Sequence, residues 1–446
     1  MRFHVLWRIL AAQAFSSLGT SMSTIALGFM VLQLTGSVLH MGAVMAVSVF
    51  PLVVTSWIGG AVLDRYNSKQ VMIASDAARA VLIFLMPFLA EQAVGLIYAV
   101  SFFMGVGSAF FNPGQIKLIG DLCSRDQLVR ANSYLSVSRD GAELIGFLAG
   151  GVLVAAVGYR PAFFVDAGSY LLSGLFLLGL PRVARGTGRT ESVRALVAES
   201  PAVFMRMWRN PGLRTNLLMA IFPLMFVMMS SPNAYALVLQ VFDGGAFELG
   251  VMEVIVGAGL IIGGLIMSRA KLTRDKNTYV ALSYVVVAVC FAAVFFSNNL
   301  WVCIVLVGVA GVANVGMFVP SITMFQEAAS EGDRGRLIAV RAGFGQMGSA
   351  AGYLLGGILG AALGIQRLFL VAGLVAVGLI VIIYVPYHIG MRRRARAAFT
   401  QAMESGAGQE EAREAARRVT QQVPVTPSGR EAWTIAAEEA AMEEQQ

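Results

Sequence analysis

The sequence predicts an all-α integral membrane protein whose twelve transmembrane helices form two pseudo-symmetric six-helix bundles. Three observations carry this. Hydrophobic residues fill 57% of the 446 positions and charged residues 13%, with a mean hydropathy of +0.71, where a soluble domain carries roughly a quarter charged residues. Apolar stretches of about 20 residues, enough to cross the hydrocarbon of a bilayer, recur twelve times. The second half of the chain also repeats the spacing of the first.

The same composition excludes other classes. Three Cys, 13 Pro and 48 Gly without a period of three fit neither a disulfide scaffold nor a collagen-like repeat. A net charge of +7 would suit nucleic acid only as a basic stripe on a folded surface. Here the basic residues sit in short loops between apolar runs, so no nucleic-acid partner is expected.

The apolar stretches run 9–34, 41–63, 72–90, 94–115, 131–157, 161–181, 214–241, 248–268, 278–297, 299–325, 337–363 and 366–389, with Gly, Pro or charges at each junction. They divide the chain into a first bundle (1–181), a basic linker (182–213), a second bundle (214–390) and a tail (391–446). The first run is too long for a signal peptide and ends in no small-residue cleavage site.

Alternate loops are basic: Arg2 and Arg8, Arg65 and Lys69, Lys117 with Arg125 and Arg130, seven arginines from Arg182 to Arg214, Arg269 to Lys276, and Arg334 with Arg336. The opposite loops hold Arg160 and Arg367. Lys and Arg mark the cytoplasmic side, so both termini are expected in the cytoplasm, with the loop near Gln33–His40 outside and the protein in the cell membrane.

The third span contains Asp76 and Arg79, which share a helix face at i, i+3. With Asp64, Arg65 and Lys69 they make a charge cluster tying the second span to the third. Lys69 reads as a topology anchor, Asp64 and Arg65 as a gating contact. In the fourth span Asn112, before Pro113, and Gln115 interrupt the apolar run as candidate cavity residues. The fifth holds Arg139, Asp140 and Glu143, where ionisable groups are costly and face a cavity or a partner. Burial disfavours the charged form of a carboxyl, the property proton coupling requires, so Asp140 and Glu143 are candidate proton sites. A static pair with Arg139 is the other reading. Asp166 in the sixth span and Glu253 in the eighth complete the candidates. Asp166 is also readable as a local hydrogen-bond anchor, and Glu253 lies shallow enough to be half solvated.

The seventh span reads Met219 to Asn233 with Pro223 and Pro232, which weaken its backbone ladder. Its Phe222, Met225, Phe226, Met229 and Asn233 are candidates for the lining of a pocket that repacks around differently shaped apolar ligands.

Gly146, Gly150, Gly151 and Gly158 return as Gly352, Gly356, Gly357 and Gly364 at a constant offset of 206. Small residues at this spacing let helices approach closely. The same offset pairs Gly105 with Gly311 and Arg130 with Arg336, and internal repeats meeting at a central site are the plan of secondary transporters. Nothing suggests an enzyme. His4, His40 and His388 are scattered, Cys123, Cys290 and Cys303 lack metal-ligand spacing, and there is no phosphate loop. No metal or cofactor is expected, and uphill transport would draw on an ion gradient.

The run Gly60-Ala-Val-Leu-Asp64-Arg65-Tyr-Asn-Ser-Lys69 resembles the loop between helices 2 and 3 of the major facilitator superfamily. Thr35-Gly36-Ser37, Val71 to Asp76, Asn112-Pro113, Gln127-Leu128, Ala131-Asn132 and Phe325-Gln326-Glu327 resemble its macrolide-efflux and enterobactin-exporter branch. The resemblance covers about residues 5–390. It implies a rocker-switch with helices 1, 4, 7 and 10 around a central cavity, and drug:proton antiport. Gly60, Asp64, Arg65 and Asp76 inherit the gating role. Departures are Phe147 after Gly146 and Tyr353 after Gly352, where antiporting relatives often have Gly-Pro in helix 5, and Asn67, Ser68 and Ser268 in the signature loops. The expected activity is proton-coupled export of small amphipathic, drug-like compounds by a monomer. The alternatives are export of one siderophore or lipid, and a receptor or scaffold signalling through the tail, whose Arg392-Arg393-Arg394-Ala-Arg396 would clamp a membrane surface.

Overall fold

The computed structural model describes residues 3–65, 67–123, 125–180, 204–205, 207–270, 275–328, 334–405 and 408–413. Its long helices are α1 (Phe3–Thr35), α2 (Val38–Arg65), α3 (Ser68–Gln92), α4 (Val94–Leu122), α5 (Arg125–Val157), α6 (Arg160–Leu178), α7, α8 (Ala246–Arg269), α9 (Lys276–Phe296), α10 (Leu300–Glu327), α11 (Arg334–Leu363) and α12 (Ile365–Glu404). The α7 span consists of Pro211–Met228, a break at Met229, Ser230–Ala236 and a π-helical end, Leu237–Val241. Pro232, at the start of its second stretch, removes a ladder donor just past that break.

Local chemistry sets many ends. Asn67, Asn210, Asp275 and Asn299 cap α3, α7, α9 and α10, each side-chain oxygen accepting from backbone N–H groups of the first turn. Gly158 and Gly364, 206 positions apart, turn the chain from α5 into α6 and from α11 into α12 at φ +84° and +89°. A side chain rarely tolerates that conformation.

Among the described residues, eleven helices are long and apolar enough to span a membrane. The remaining one, α11, packs against α2 and α7. Large apolar side chains stand exposed along α6 (Leu171, Leu175, Leu178) and α9 (Val285, Val289, Phe296). Such a belt has its solvent in lipid rather than water.

Helix packing obeys the repeat throughout. In the first bundle α1 packs on α5 and α6, α2 on α4, and α3 on α4 and α6; in the second, α7 packs on α11 and α12, α8 on α10, and α9 on α10 and α12. The bundles join through α2 with α11 and α5 with α8, again equivalent pairs. Backbones meet at these seams. A Cβ on Gly151 would lie 2.8 Å from the Ala246 carbonyl and 3.1 Å from the Gly250 Cα, and one on Gly357 would lie 3.0 Å from the Leu39 Cα.

Both seams lie on the face away from the N-terminus. The main core runs through both bundles there, with Ile25 and Met30 of α1, Met41 of α2, Tyr235 of α7 and Leu249 of α8. At the face bearing the N-terminus the core divides. Ile9, Met72, Leu118 and Leu177 form one cluster, and Leu213, Leu217, Met324, Phe325 and Leu337 another. Among the described residues the buried core is shared by the bundles at one face and divided between them at the other. Nor does the last helix stop near 389, as its hydropathy suggests. α12 carries Arg392 to Arg396 on through to Glu404.

Candidate functional site

The first bundle buries a connected set of charges among α1, α3, α4 and α6. Asp76 and Arg79, one turn apart on α3, form an ion pair of 2.5 Å at 1% and 5% exposure. Ser173 of α6 donates to the other Asp76 oxygen at 2.7 Å. The Arg79 guanidinium lies between the Phe111 ring of α4 and the Tyr170 ring of α6, 4.5 and 4.4 Å from their centres, which adds cation–π attraction where water is excluded. Asp166, on the same α6, is fully buried; Ser23 of α1 donates to it at 2.5 Å and Ser169 at 3.2 Å. The charges of Arg79 and Asp76 lie within electrostatic reach of Asp166. Thr20 and Tyr170 share a hydrogen bond of 2.8 Å above this set.

Two carboxyls against one guanidinium leave the set one negative charge in excess, and an excess buried charge is expensive. One proton restores neutrality. Asp76 has the cation; Asp166 has only hydroxyls.

Equivalent polar bridges join the cavity helices implied by the family resemblance. Gln115 of α4 donates to Gln13 of α1 at 2.6 Å, and Gln13 donates to Ser17 at 2.8 Å. In the second bundle Ser321 of α10, 206 positions after Gln115, donates to Asn216 of α7 at 2.5 Å. Sequence reasoning overlooked Gln13, Ser23, Asn216, Ser321 and Arg341. Each is a polar residue within an apolar run, the signal that would have found them.

The other expected residues scatter. The side chains of Asp64 and Arg65, the linker residues 182–203 and the tail from 414 lie outside the described residues, and Gly60 falls within α2. Lys69 donates to the carbonyls of Leu178 and Leu180 at 2.9 and 2.6 Å, covering the C-terminal end of α6. Arg139 bridges Asp140 at 2.9 Å and Glu143 at 3.8 Å, with all three side chains about half exposed. Asp140 lies on the face of α5 that, further along, touches α8 through Gly151. Glu253 of α8 is half-buried and accepts from Tyr235 of α7 at 2.7 Å, beside the joined face.

Asn112 is exposed and Gln115 buried; Phe222 is exposed, and Met225 and Phe226 are intermediate. Met229 and Asn233, expected to line a pocket, are instead fully buried where α7 packs on α11. Met229 lies under Gly356, and Asn233 donates to the Met229 and Gly356 carbonyls at 2.9 Å. Gly146 and Gly150 receive α1 as Gly352 and Gly356 receive α7.

Comparison with known proteins bears on these features together. The chain is 28% identical over 260 residues to the uncharacterized MFS-type transporter YfiS of Bacillus subtilis, covering 57% of this chain and 61% of the relative. It is 28% identical over 169 residues to the lysophospholipid transporter LplT of Yersinia pestis, covering 35% of this chain and 38% of the relative. Both matches span less than two thirds of the relative's own length. Among solved structures, a POT family transporter in complex with 5-aminolevulinic acid aligns at a TM-score of 0.68 and 12% identity over 85% of this chain and 95% of that one. The nucleoside transporter NupG aligns at 0.62 and 16% over 85% and 98%. The profile of the Major Facilitator Superfamily matches residues 9–278 and 273–436. With its twelve helices, paired bundles and paired seams, the chain belongs to the major facilitator superfamily, a family of membrane transporters rather than enzymes.

Proposed function

We propose that the protein exports small amphipathic compounds from the cytoplasm by alternating access, in exchange for protons. One observation carries the reading: the bundles are joined at one face and their cores are separate at the other, as in one end state of a rocking transporter. The parted face carries the N-terminus and the basic loops, which supports a cytoplasmic opening in the cell membrane. Cargo loads from that side and leaves when the seams part. Asp64 and Arg65, with Asp76 and Arg79, act as the gate at the end of α2.

Asp166 is the leading proton site, because the buried set is neutral only when it holds one proton and Asp76 is already paired. Asp140 and Glu143, bridged by Arg139, and Glu253, bonded to Tyr235, are secondary sites. Purified protein in proteoliposomes carrying a pH gradient is expected to move a hydrophobic fluorescent compound uphill. Asp166→Asn should abolish uphill transport and leave downhill exchange at about half or more of its rate, since an amide keeps the hydroxyl bonds. Uphill transport by that variant with wild-type pH dependence would remove Asp166 from the coupling mechanism.

The likeness to a lysophospholipid transporter favours a second reading, in which the native cargo is a single lipid. A broad resistance profile in an efflux-deficient host supports the first reading, and one accumulated lipid in a deletion strain the second.

A further inference from the structure

Among the described residues each bundle buries one guanidinium, and only that of Arg79 has a carboxylate in contact. Arg79 has Asp76. Arg341, seven positions after the start of α11, is 9% exposed. Its Nε donates to Ser321 at 2.8 Å, Ser321 to Asn216 at 2.5 Å, Asn216 to Asn277 at 2.9 Å, and Asn277 to the Gly212 carbonyl at 3.1 Å. Every link hands a donor onward, so the chain brings Arg341 no negative charge. No carboxylate lies within ion-pair distance of it among the described residues.

A snorkelling arginine would reach for the membrane surface. This one is bonded inward to α10, with the Phe318 and Phe325 rings each 5.9 Å away. Among the described residues its terminal nitrogens have no acceptor, and they are not sealed off. They border a narrow recess whose wall joins the apolar Leu224, Val280 and Met317 to the polar Asn216, Tyr284 and Ser321. A buried charge without a partner is costly, and the guanidinium fork matches the two oxygens of a phosphate or carboxylate.

We propose that Arg341 binds the oxyanion head group of a single-chain amphiphile whose tail lies along Leu224, Val280 and Met317. This deepens the transport reading, on which it rests for the claim that the bound amphiphile is cargo.

The test uses the full chain in phosphatidylcholine nanodiscs, with calorimetric titration of dodecyl phosphate, inorganic phosphate and dodecyl maltoside. Dodecyl phosphate should bind saturably, inorganic phosphate at least about tenfold more weakly, and dodecyl maltoside without saturation. Arg341→Gln should weaken dodecyl phosphate about tenfold or more, with partial recovery in Arg341→Lys. Should the glutamine variant not fold, Leu224→Phe decides: filling the recess should weaken dodecyl phosphate and leave inorganic phosphate unchanged. Unchanged affinity in Arg341→Gln, equal affinity for inorganic phosphate, or equal affinity for the maltoside would each overturn the proposal. Binding that depends on Arg341 without transport of dodecyl phosphate in proteoliposomes would uphold the site and refute the cargo. Uphill movement of other amphiphiles without such binding would uphold transport and refute the site.

Discussion

Arg79 shows how a charge is kept inside a membrane bundle. Asp76 neutralises it, two aromatic faces enclose it, and Gly107 of α4 clears its stem, since a Cβ there would lie 2.7 Å from the Arg79 Cγ. Asp76→Ala would remove the carboxylate in contact with the guanidinium and leave only the more distant Asp166 to balance it, a loss of about 3 kcal/mol. Thermal denaturation in detergent should show it as a clear fall in Tm, larger than that of Ser173→Ala, which removes one hydrogen bond worth about 1 kcal/mol. The ion pair was legible in the sequence because its members are one turn apart. The hydroxyls around Asp166 were not, since Ser23 lies 143 positions away. Arg341 was readable as an ionisable residue within a span, but its lack of a carboxylate is a tertiary fact. Composition pointed to Met229 and Asn233 as pocket residues and misled, because an apolar helix has no polar face to reveal which side meets a neighbour.

Helix ends, unlike helix existence, follow rules that hydropathy does not carry. Apolar runs at 337–363 and 366–389 became Arg334–Leu363 and Ile365–Glu404, because a helix continues past the hydrocarbon while its residues favour it. Caps are the more local signal, and one carries a charge penalty. Asp275 caps α9 just outside its span; one oxygen accepts from the Asn277 N–H at 3.4 Å, with the Tyr387 hydroxyl nearby, and the other has no partner. Burial pushes its carboxyl up to about 6, from an ordinary value of 3.8. The folded protein therefore binds this proton more tightly than the unfolded chain. The stabilisation it brings is complete below about pH 4 and is lost as pH rises through about 6. Asp275→Asn keeps the cap and should raise the melting temperature at pH 8 by a few degrees, with little change at pH 4, in scans of detergent-purified protein.

Across the whole molecule the repeat was the most legible feature. The 206-residue offset between glycines in sequence is, in three dimensions, the equivalence of Gly151 at the α5–α8 seam with Gly357 at the α2–α11 seam. What spacing could not show is which face those seams close, because the same offset fits seams at either face. If the seams must part and re-form during transport, a side chain that stops them closing should slow it. A Cβ on Gly42 would overlap the Tyr353 carbonyl oxygen, whereas one on Gly95 would meet nothing within 4 Å. Gly42→Val should cut transport in proteoliposomes about tenfold or more, and Gly95→Val should leave it near wild type.

At Gly42, Gly151, Gly250 and Gly357 the seams lay main chain against main chain. Side chains that interlock must change rotamer before they come apart, whereas two smooth backbones need only move away from each other. Separation then demands no rearrangement of the surfaces themselves, and each return finds the same fit. Along the glycine contacts, bundles that rock would thus have a latch without teeth, set beside a side-chain core that includes Met41, Tyr235 and Leu249.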